Sequence, residues 1–301
     1  MRCALVVPFA VVALVGGMLV RSCETNDGAG GHGPGTRERT AAVVEQFGVE
    51  VVEVLPHDPT AFTQGLEMTG GMLYESTGVD GQSSVRAGRP GKSPAVRADL
   101  PRPLFGEGLT VMGPTLWQLT WKNGIAVERD TRTLAEVRRV PYRDEGWGVC
   151  HQRHRDRLVT SNGSSRLTFR DPRTLAKTGE VAVTVYGRPV TRLNELECVG
   201  DVVYANIWAA DRIVRIDADT GTVTGDIDAP ALLGAAERRR ADVLNGIAAV
   251  PGTDQFLITG KWWPKMFRVA FVPKCPRTAG NRSATAGISA SREPDRCLGP
   301  G

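Results

Sequence analysis

The chain has 301 residues, 41% of them hydrophobic, and a formal net charge of +4. That length admits one large all-β domain or two smaller domains. Its positive charge is mostly Arg scattered singly, with Arg238-Arg239-Arg240 the densest cluster, which argues against a nucleic-acid partner.

Residues 1–23 read as a targeting segment, with Arg2 ahead of an almost uninterrupted apolar run from Ala4 to Val20. Val20-Arg-Ser-Cys23 loosely matches a bacterial lipoprotein cleavage box, with Arg21 unusual inside it. Lipidation at Cys23, cleavage elsewhere and an uncleaved anchor therefore stay open. Each outcome exports the domain, either secreted or held at the outer face of the cytoplasmic membrane, and makes the N-terminal segment its sole membrane attachment. Residues 24–42 are Gly-rich and polar, a flexible linker, and residues 274–301 read as a disordered tail. The domain spans 43–273.

Within it one outline recurs five times: a Gly-flanked start, a short apolar strand, a turn and a second strand. Its first apolar residues are Leu66, Leu109, Val149, Leu196 and Ile247, at intervals of 40 to 51 residues. A period of that size built from short strands is the signature of propeller blades. Val127 to Leu134, Leu167 to Leu175 and Val214 to Gly221 add hairpin signals that supply about four strands per blade. The expected fold is an all-β five-bladed propeller. Val51 to Leu55 precedes the first copy, and only Met266 to Val272 ends the last, so the N-terminal strand is expected to complete the last blade and hide two sheet edges.

In such a ring, equivalent positions converge on one channel mouth. Two residues before each apolar marker stand Gln64, Glu107, Trp147, Asn194 and Asn245; at the far ends of the second strands stand Gly78, Trp121, Gly163, Trp208 and Lys261. An antiparallel neighbour returns to where its partner began, so both sets share a rim. That rim gathers one acid, three Trp, amides, a Lys and two Gly gaps, as a small-ligand pocket does. A lone Glu between Gly residues is more often a turn carboxylate, a Trp at a strand end is more often packing, and buried amides by default bond nearby backbone. Their joint placement favours a site. Lys261 is one of six Lys in a chain that otherwise uses Arg, which suggests that a compact ammonium is needed there.

Cys150 and Cys198 fall in first strands and read as small buried apolar residues in preference to a disulfide; Cys275 and Cys297 in the tail are candidates to pair. No Cys or His spacing suits a metal: of four His, His32 lies in the linker, and His151-Gln-Arg-His154 lacks further ligands nearby.

The segments His57 to Leu66, Phe105 to Gly108, Gln118 to Lys122, Glu145 to Gly148, Ser161 to Ser164, Leu193 to Glu197, Ala205 to Trp208, Val243 to Ile247 and Thr259 to Phe267 closely resemble the plant and bacterial type glutaminyl-peptide cyclotransferases. The resemblance covers nearly all of 50–272 in order. It implies a five-bladed propeller and conversion of an N-terminal Gln of peptides or proteins to pyroglutamate with release of ammonia. It implies pocket residues Phe62, Gln64, Phe105, Glu107, Trp121, Trp147, Asn194, Trp208 and Lys261. It also allows a structural cation in the channel, with no ligands assigned. Gly81 to Ala98 stands outside the motifs as an insertion-like stretch.

Cyclisation uses the substrate's own α-amine as nucleophile, so the enzyme has to fold the Gln side chain back and move one proton. Glu107 is the expected general acid/base, with Lys261 and amides such as Gln64 or Asn194 stabilising the carboxamide oxygen or holding the substrate backbone. No cofactor is required for this chemistry, and a monomer is expected. The rivals are a non-catalytic propeller that displays peptides or glycans, and a metal-dependent lactonase-type propeller hydrolase, for which a single rim acid is a poor cation site.

Overall fold

Each apolar marker falls in the first strand of an antiparallel run. The computed structural model describes residues 43–230 and 232–274; the targeting segment, the linker and the tail from Cys275 onward, with the Cys275–Cys297 pairing, lie outside the described residues. After β1 (Glu45–Pro56), one sheet is formed by β2 (Thr63–Thr69), β3 (Met72–Thr77), β4 (Ser84–Gly88) and β5 (Val96–Asp99). The next is formed by β6 (Gly106–Met112), β7 (Thr115–Thr120), β8 (Ile125–Asp130) and β9 (Glu136–Pro141). A third holds β10 (Val149–Gln152), β11 (Arg157–Thr160), β12 (Arg166–Arg170) and β13 (Lys177–Ala182). A short hairpin, β14 (Thr184–Val185) and β15 (Arg188–Pro189), leads to β16 (Leu193–Val199), β17 (Val202–Ile207), β18 (Arg212–Asp217) and β19 (Val223–Asp228). The one-turn helix α1 (Ala235–Arg238) precedes β20 (Leu244–Ala249), β21 (Gln255–Gly260) and β22 (Lys265–Pro273).

Burial grades along each run. The strand β2 reads Thr-Gln-Gly-Leu-Glu with every one of those residues buried, whereas the fourth strand β9, Glu-Val-Arg-Arg-Val-Pro, is largely exposed. Charged residues therefore concentrate at the outer edges, where unpaired backbone would otherwise invite association. Three links between third and fourth strands repeat an Asp-x-x-Thr turn: Asp130, Asp171 and Asp217 each accept the backbone N–H of the Thr three residues on at 2.8 Å. The hairpins expected from these segments are thus present.

Neighbouring runs pack through their first strands, β2 against β6, β6 against β10, β10 against β16, β16 against β20 and β20 against β2. The approach is close enough to need Gly. A Cβ on Gly65 would lie 2.4 Å from Leu109 N, one on Gly108 2.5 Å from Trp147 O, and one on Gly148 2.2 Å from Asn194 O. At the matching place in β16 stands Glu195, fully buried, whose two oxygens accept Leu66 N–H at 3.2 Å and Ile247 N–H at 2.8 Å. Glu67 does the same between β2 and β6, taking Val111 N–H at 2.8 Å and the Thr110 hydroxyl at 2.7 Å. Apolar clusters fill the space between runs, such as Trp117 and Leu119 with Val149 and Leu158, and Leu66 and Leu73 with Ala248 and Leu257.

Three expectations change. Cys150 of β10 and Cys198 of β16 form a disulfide, with Cα atoms 5.4 Å apart, where the sequence favoured two free buried thiols. Facing first strands of adjacent runs put the two Cβ atoms within reach. The stretch from Gly81 to Ala98 is no insertion: it supplies β4 and most of β5. And β1 does more than line the edge of β22. Phe47 to Pro56 pairs antiparallel with β22, and Glu45 to Gly48 also pairs in parallel with Gly225 to Asp228 of β19, fusing the last two runs into one eight-stranded sheet.

Replacing Glu195 by Ala leaves two buried N–H donors without acceptors, at about 1–3 kcal/mol each. We expect Glu195→Ala to lower the melting temperature by roughly 4–24 °C in calorimetry; an unchanged transition would show that water or backbone replaces the carboxylate without loss.

Candidate active site

The rim residues are aimed by irregular register. Shifts in pairing fall between Thr63 and Gly65, Gly106 and Leu109, Leu193 and Leu196, and Leu244 and Ile247, and so bracket Gln64, Glu107, Asn194 and Asn245. A bulged residue leaves the ladder and turns its side chain off the regular alternation. Trp147 stands just before β10, its N–H on Ser161 O at 3.3 Å. The second strands return to the same end. Gly78, Trp121, Trp208 and Lys261 donate their N–H groups to Phe62, Phe105, Arg192 and Val243, in each case the residue two before the rim position, at 2.9 to 3.0 Å.

At the centre, Gln64 Nε2 donates to Glu107 Oε1 at 3.0 Å, and Asn245 Nδ2 reaches Gln64 Oε1 at 3.4 Å and Thr63 O at 3.0 Å. Asn245 thereby fixes which end of the Gln64 amide faces the acid. Glu107 is 4% exposed, and burial holds its carboxyl well above the usual carboxylate range; the Lys261 charge pulls it back and Glu145 pushes it further up. Burial likewise lowers Lys261, against the opposing pull of Glu107 and Asp242. The Lys261 ammonium sits 4.6 Å from the centre of the Phe62 ring.

Aromatic rings continue from that point. Phe62 and Phe105 meet edge to face at 6.3 Å, Phe105 and Trp121 lie 5.6 Å apart, and Trp147 meets Trp208 edge-on at 6.0 Å. The indole N–H groups of Trp121 and Trp147 both donate to Glu145 Oε1. The two Gly gaps make room for these rings: a Cβ on Gly78 would fall 2.4 Å from Phe105, and one on Gly163 2.7 Å from Trp147. Trp121 and Trp208 remain 37% and 41% exposed, so the rings line an opening to solvent.

Phe62, Gln64, Phe105, Glu107, Trp121, Trp147, Trp208 and Lys261 therefore form one linked set. Asn194 is buried on the matching bulge of β16, its carbonyl accepting the Ser161 hydroxyl at 2.6 Å. Asn245 belongs to the rim register read from sequence, and two further members, Glu145 and Trp262, were given no role there. Glu145 occupies the repeat position of Phe62 and Phe105, a signal that was available. Trp262, which follows Lys261, takes a left-handed backbone (φ 59°) and packs on Phe62 at 4.8 Å. Among the described residues no group of three or more His, Cys, Asp and Glu side chains is placed to hold a metal ion. The buried Glu67 and Glu195 are spent on backbone N–H groups instead.

Comparison with known proteins agrees with this geometry. The family model described as glutamine cyclotransferase matches residues 29–271. A curated glutaminyl-peptide cyclotransferase of Arabidopsis thaliana is 39% identical over 230 residues, covering 73% of this chain and 70% of that protein. The crystal structure of Myxococcus xanthus glutaminyl cyclase superposes with a TM-score of 0.70 at 37% identity, over 77% of this chain and 100% of that one. A match of this extent shows that the chain belongs to the glutamine cyclotransferase family.

Proposed function

We propose that the protein cyclises N-terminal glutamine of peptides or proteins to pyroglutamate, releasing ammonia, at the Glu107 rim. The observation that carries the reading is a single buried carboxyl, raised in pKa, between an amide, an ammonium and a wall of aromatic rings. Family membership favours it over a non-catalytic binding propeller or a lactonase-type hydrolase.

The chemistry needs little from the protein. The α-amine attacks the side-chain carboxamide carbon, a C–N bond forms, and the amide nitrogen leaves as ammonia after gaining the proton the amine gives up. Glu107 takes that proton and passes it on; its raised pKa suits a group that has to do both near neutral pH. Gln64, held by Asn245, orients the carboxyl. Lys261 faces the oxygen that gains negative charge, in a site where burial strengthens the interaction. The rings of Phe62, Phe105, Trp121, Trp147 and Trp208 press on the aliphatic part of the Gln side chain and exclude water, and Asn194 holds the substrate backbone. Catalysis is metal-independent in this reading.

The five runs are read as the blades of a propeller closed by β1, supported by the contacts of their first strands. Export of the domain of residues 43–273, read as a monomer, is supported by the apolar N-terminal run and by the Cys150–Cys198 disulfide, a bond that persists in oxidising compartments.

Three measurements test the chemistry. We expect Glu107→Gln to cut kcat by at least about 10²-fold while circular dichroism and binding of a non-cyclising analogue are retained; near-wild-type ammonia release would remove Glu107 from its role. Gly78→Ala forces Phe105 aside, and kcat/KM for a Gln-initiated dipeptide is expected to fall by about 10-fold, given the sensitivity of rate to misplacement. The acid limb of kcat/KM carries the substrate amine, near about 7.7, so the informative limb is alkaline. Lys261 has its pKa lowered from 10.5, so activity should decline below that pH as its proton leaves, and Lys261→Arg should move the decline to higher pH. An unmoved limb would assign it to another group.

A further inference from the structure

Behind the rim lies a second polar cluster that the proton transfer does not use. His57, whose side chain is 5% exposed, donates from its backbone N–H to Pro264 O at 3.0 Å, and its ring Nδ1 sits 2.7 Å from Trp263 O. A carbonyl only accepts, so Nδ1 carries a proton. Ring Nε2 faces Glu75 Oε1 at 3.1 Å. Glu75 is ionised, its pKa lowered to about 2: burial opposes this, and His57, Arg86 and Thr63 outweigh it. Nε2 therefore carries a proton as well. Thr259 Oγ1, 3.3 Å from Nδ1, gives its own proton to Lys265 O and so also accepts. Every hydrogen-bond partner of the ring acts as an acceptor, and burial and the Arg86 charge are outweighed by Glu75 and the Trp263 carbonyl, so that the imidazolium is favoured.

The same carboxylate takes the Thr63 hydroxyl at 2.6 Å and Arg86 Nε at 2.9 Å, and Arg86 reaches Asp58 at 2.7 Å. Asp58 in turn caps Thr60, and Ala61 N–H closes a turn on Asp58 O. That turn delivers Phe62 and Gln64. Ala61 O accepts Trp262 N–H at 2.6 Å, and Trp262 holds the left-handed φ of 59° that L-residues rarely adopt. The two carbonyls gripped by His57 directly follow Lys261 and Trp262 in the chain. The imidazolium thus ties the segment bearing Phe62 and Gln64 to the turn bearing the ammonium.

We propose that His57 is a positioning residue for the cyclisation: clamped by Glu75, it holds the Lys261–Pro264 turn so that the ammonium stays in range of Glu107 and Trp262 packs on Phe62. The inference rests on the cyclotransferase reading above. If the wild-type protein releases no ammonia from a Gln-initiated dipeptide, that reading fails, and not the clamp.

The test compares His57→Ala, His57→Asn and His57→Gln in the full-length protein, measuring kcat and KM separately. An Asn amide can donate to Trp263 O from the place of Nδ1; a Gln amide lies further out, toward Glu75. His57→Ala is expected to lower kcat by about 10- to 100-fold with KM changed less than about 3-fold, as loss of orientation does. His57→Asn is expected to recover at least about 5-fold in kcat over His57→Gln at equal thermal stability. If His57→Ala does not fold, the Asn and Gln pair decides alone. Equal kcat in that pair, or wild-type kcat in His57→Ala, would overturn the proposal.

Discussion

First strands of adjacent runs meet face to face without a continuous ladder between them, and the structure depends on how their backbone donors are satisfied there. Gly lets the strands close to contact at three places, and one direct bond, Gly108 N–H to Trp147 O at 2.7 Å, bridges two of them. Where a side chain replaces Gly, it is the carboxylate of Glu195, spanning β2 and β20 from β16. A buried carboxylate is costly unless hydrogen-bonded, and its pKa is pushed well up by burial even with both N–H groups in place. Its presence is explained by geometry: no neutral amide of that length offers two separate acceptor oxygens.

The same packing places the chemistry. No single sheet carries the site. Gln64 and Phe62 come from the first run, Glu107, Phe105 and Trp121 from the second, Trp147 from the third, Trp208 from the fourth, and Lys261 and Asn245 from the last. The Gln64–Glu107 and Asn245–Gln64 bonds are therefore bonds between sheets, and the pocket is only as well ordered as the contacts among them. Dryness follows too. Inner strands buried on both faces leave Glu107 surrounded by protein, which raises its pKa and keeps Lys261 and the carboxyl in mutual range.

Much of this was legible in sequence because the repeat is positional. Counting two residues back from an apolar marker finds Gln64, Glu107, Trp147, Asn194 and Asn245 without any knowledge of the fold, and register shifts show how Gln64, Glu107, Asn194 and Asn245 come off the regular ladder. What stayed hidden depends on contacts between runs. Cys150 and Cys198 look like core residues within their own strands, and only the approach of β10 to β16 makes them partners. Glu45 to Gly48 carries no mark of its parallel pairing with β19, since any extended segment can supply those hydrogen bonds. Trp262 reads as one half of an indole pair, and its exposure follows from a backbone angle that composition does not encode.

The placement of β1 joins architecture to reactivity. It pairs with β22 from Phe47 to Pro56, then runs straight through His57 and the Asp58 turn into β2. The segment that knits the last sheet is thus continuous with the one that presents Phe62 and Gln64, and the His57–Glu75–Arg86 cluster lies at the joint. Buried charge there is fully paired, each carboxylate oxygen of Glu75 meeting a cation, whereas Glu107 is left with one neutral donor and a more distant ammonium. The difference separates scaffold from site. A paired carboxylate such as Glu75 has its pKa pinned low and stays ionised, while the under-partnered Glu107 has its pKa raised, the direction that the proposed general acid/base role calls for.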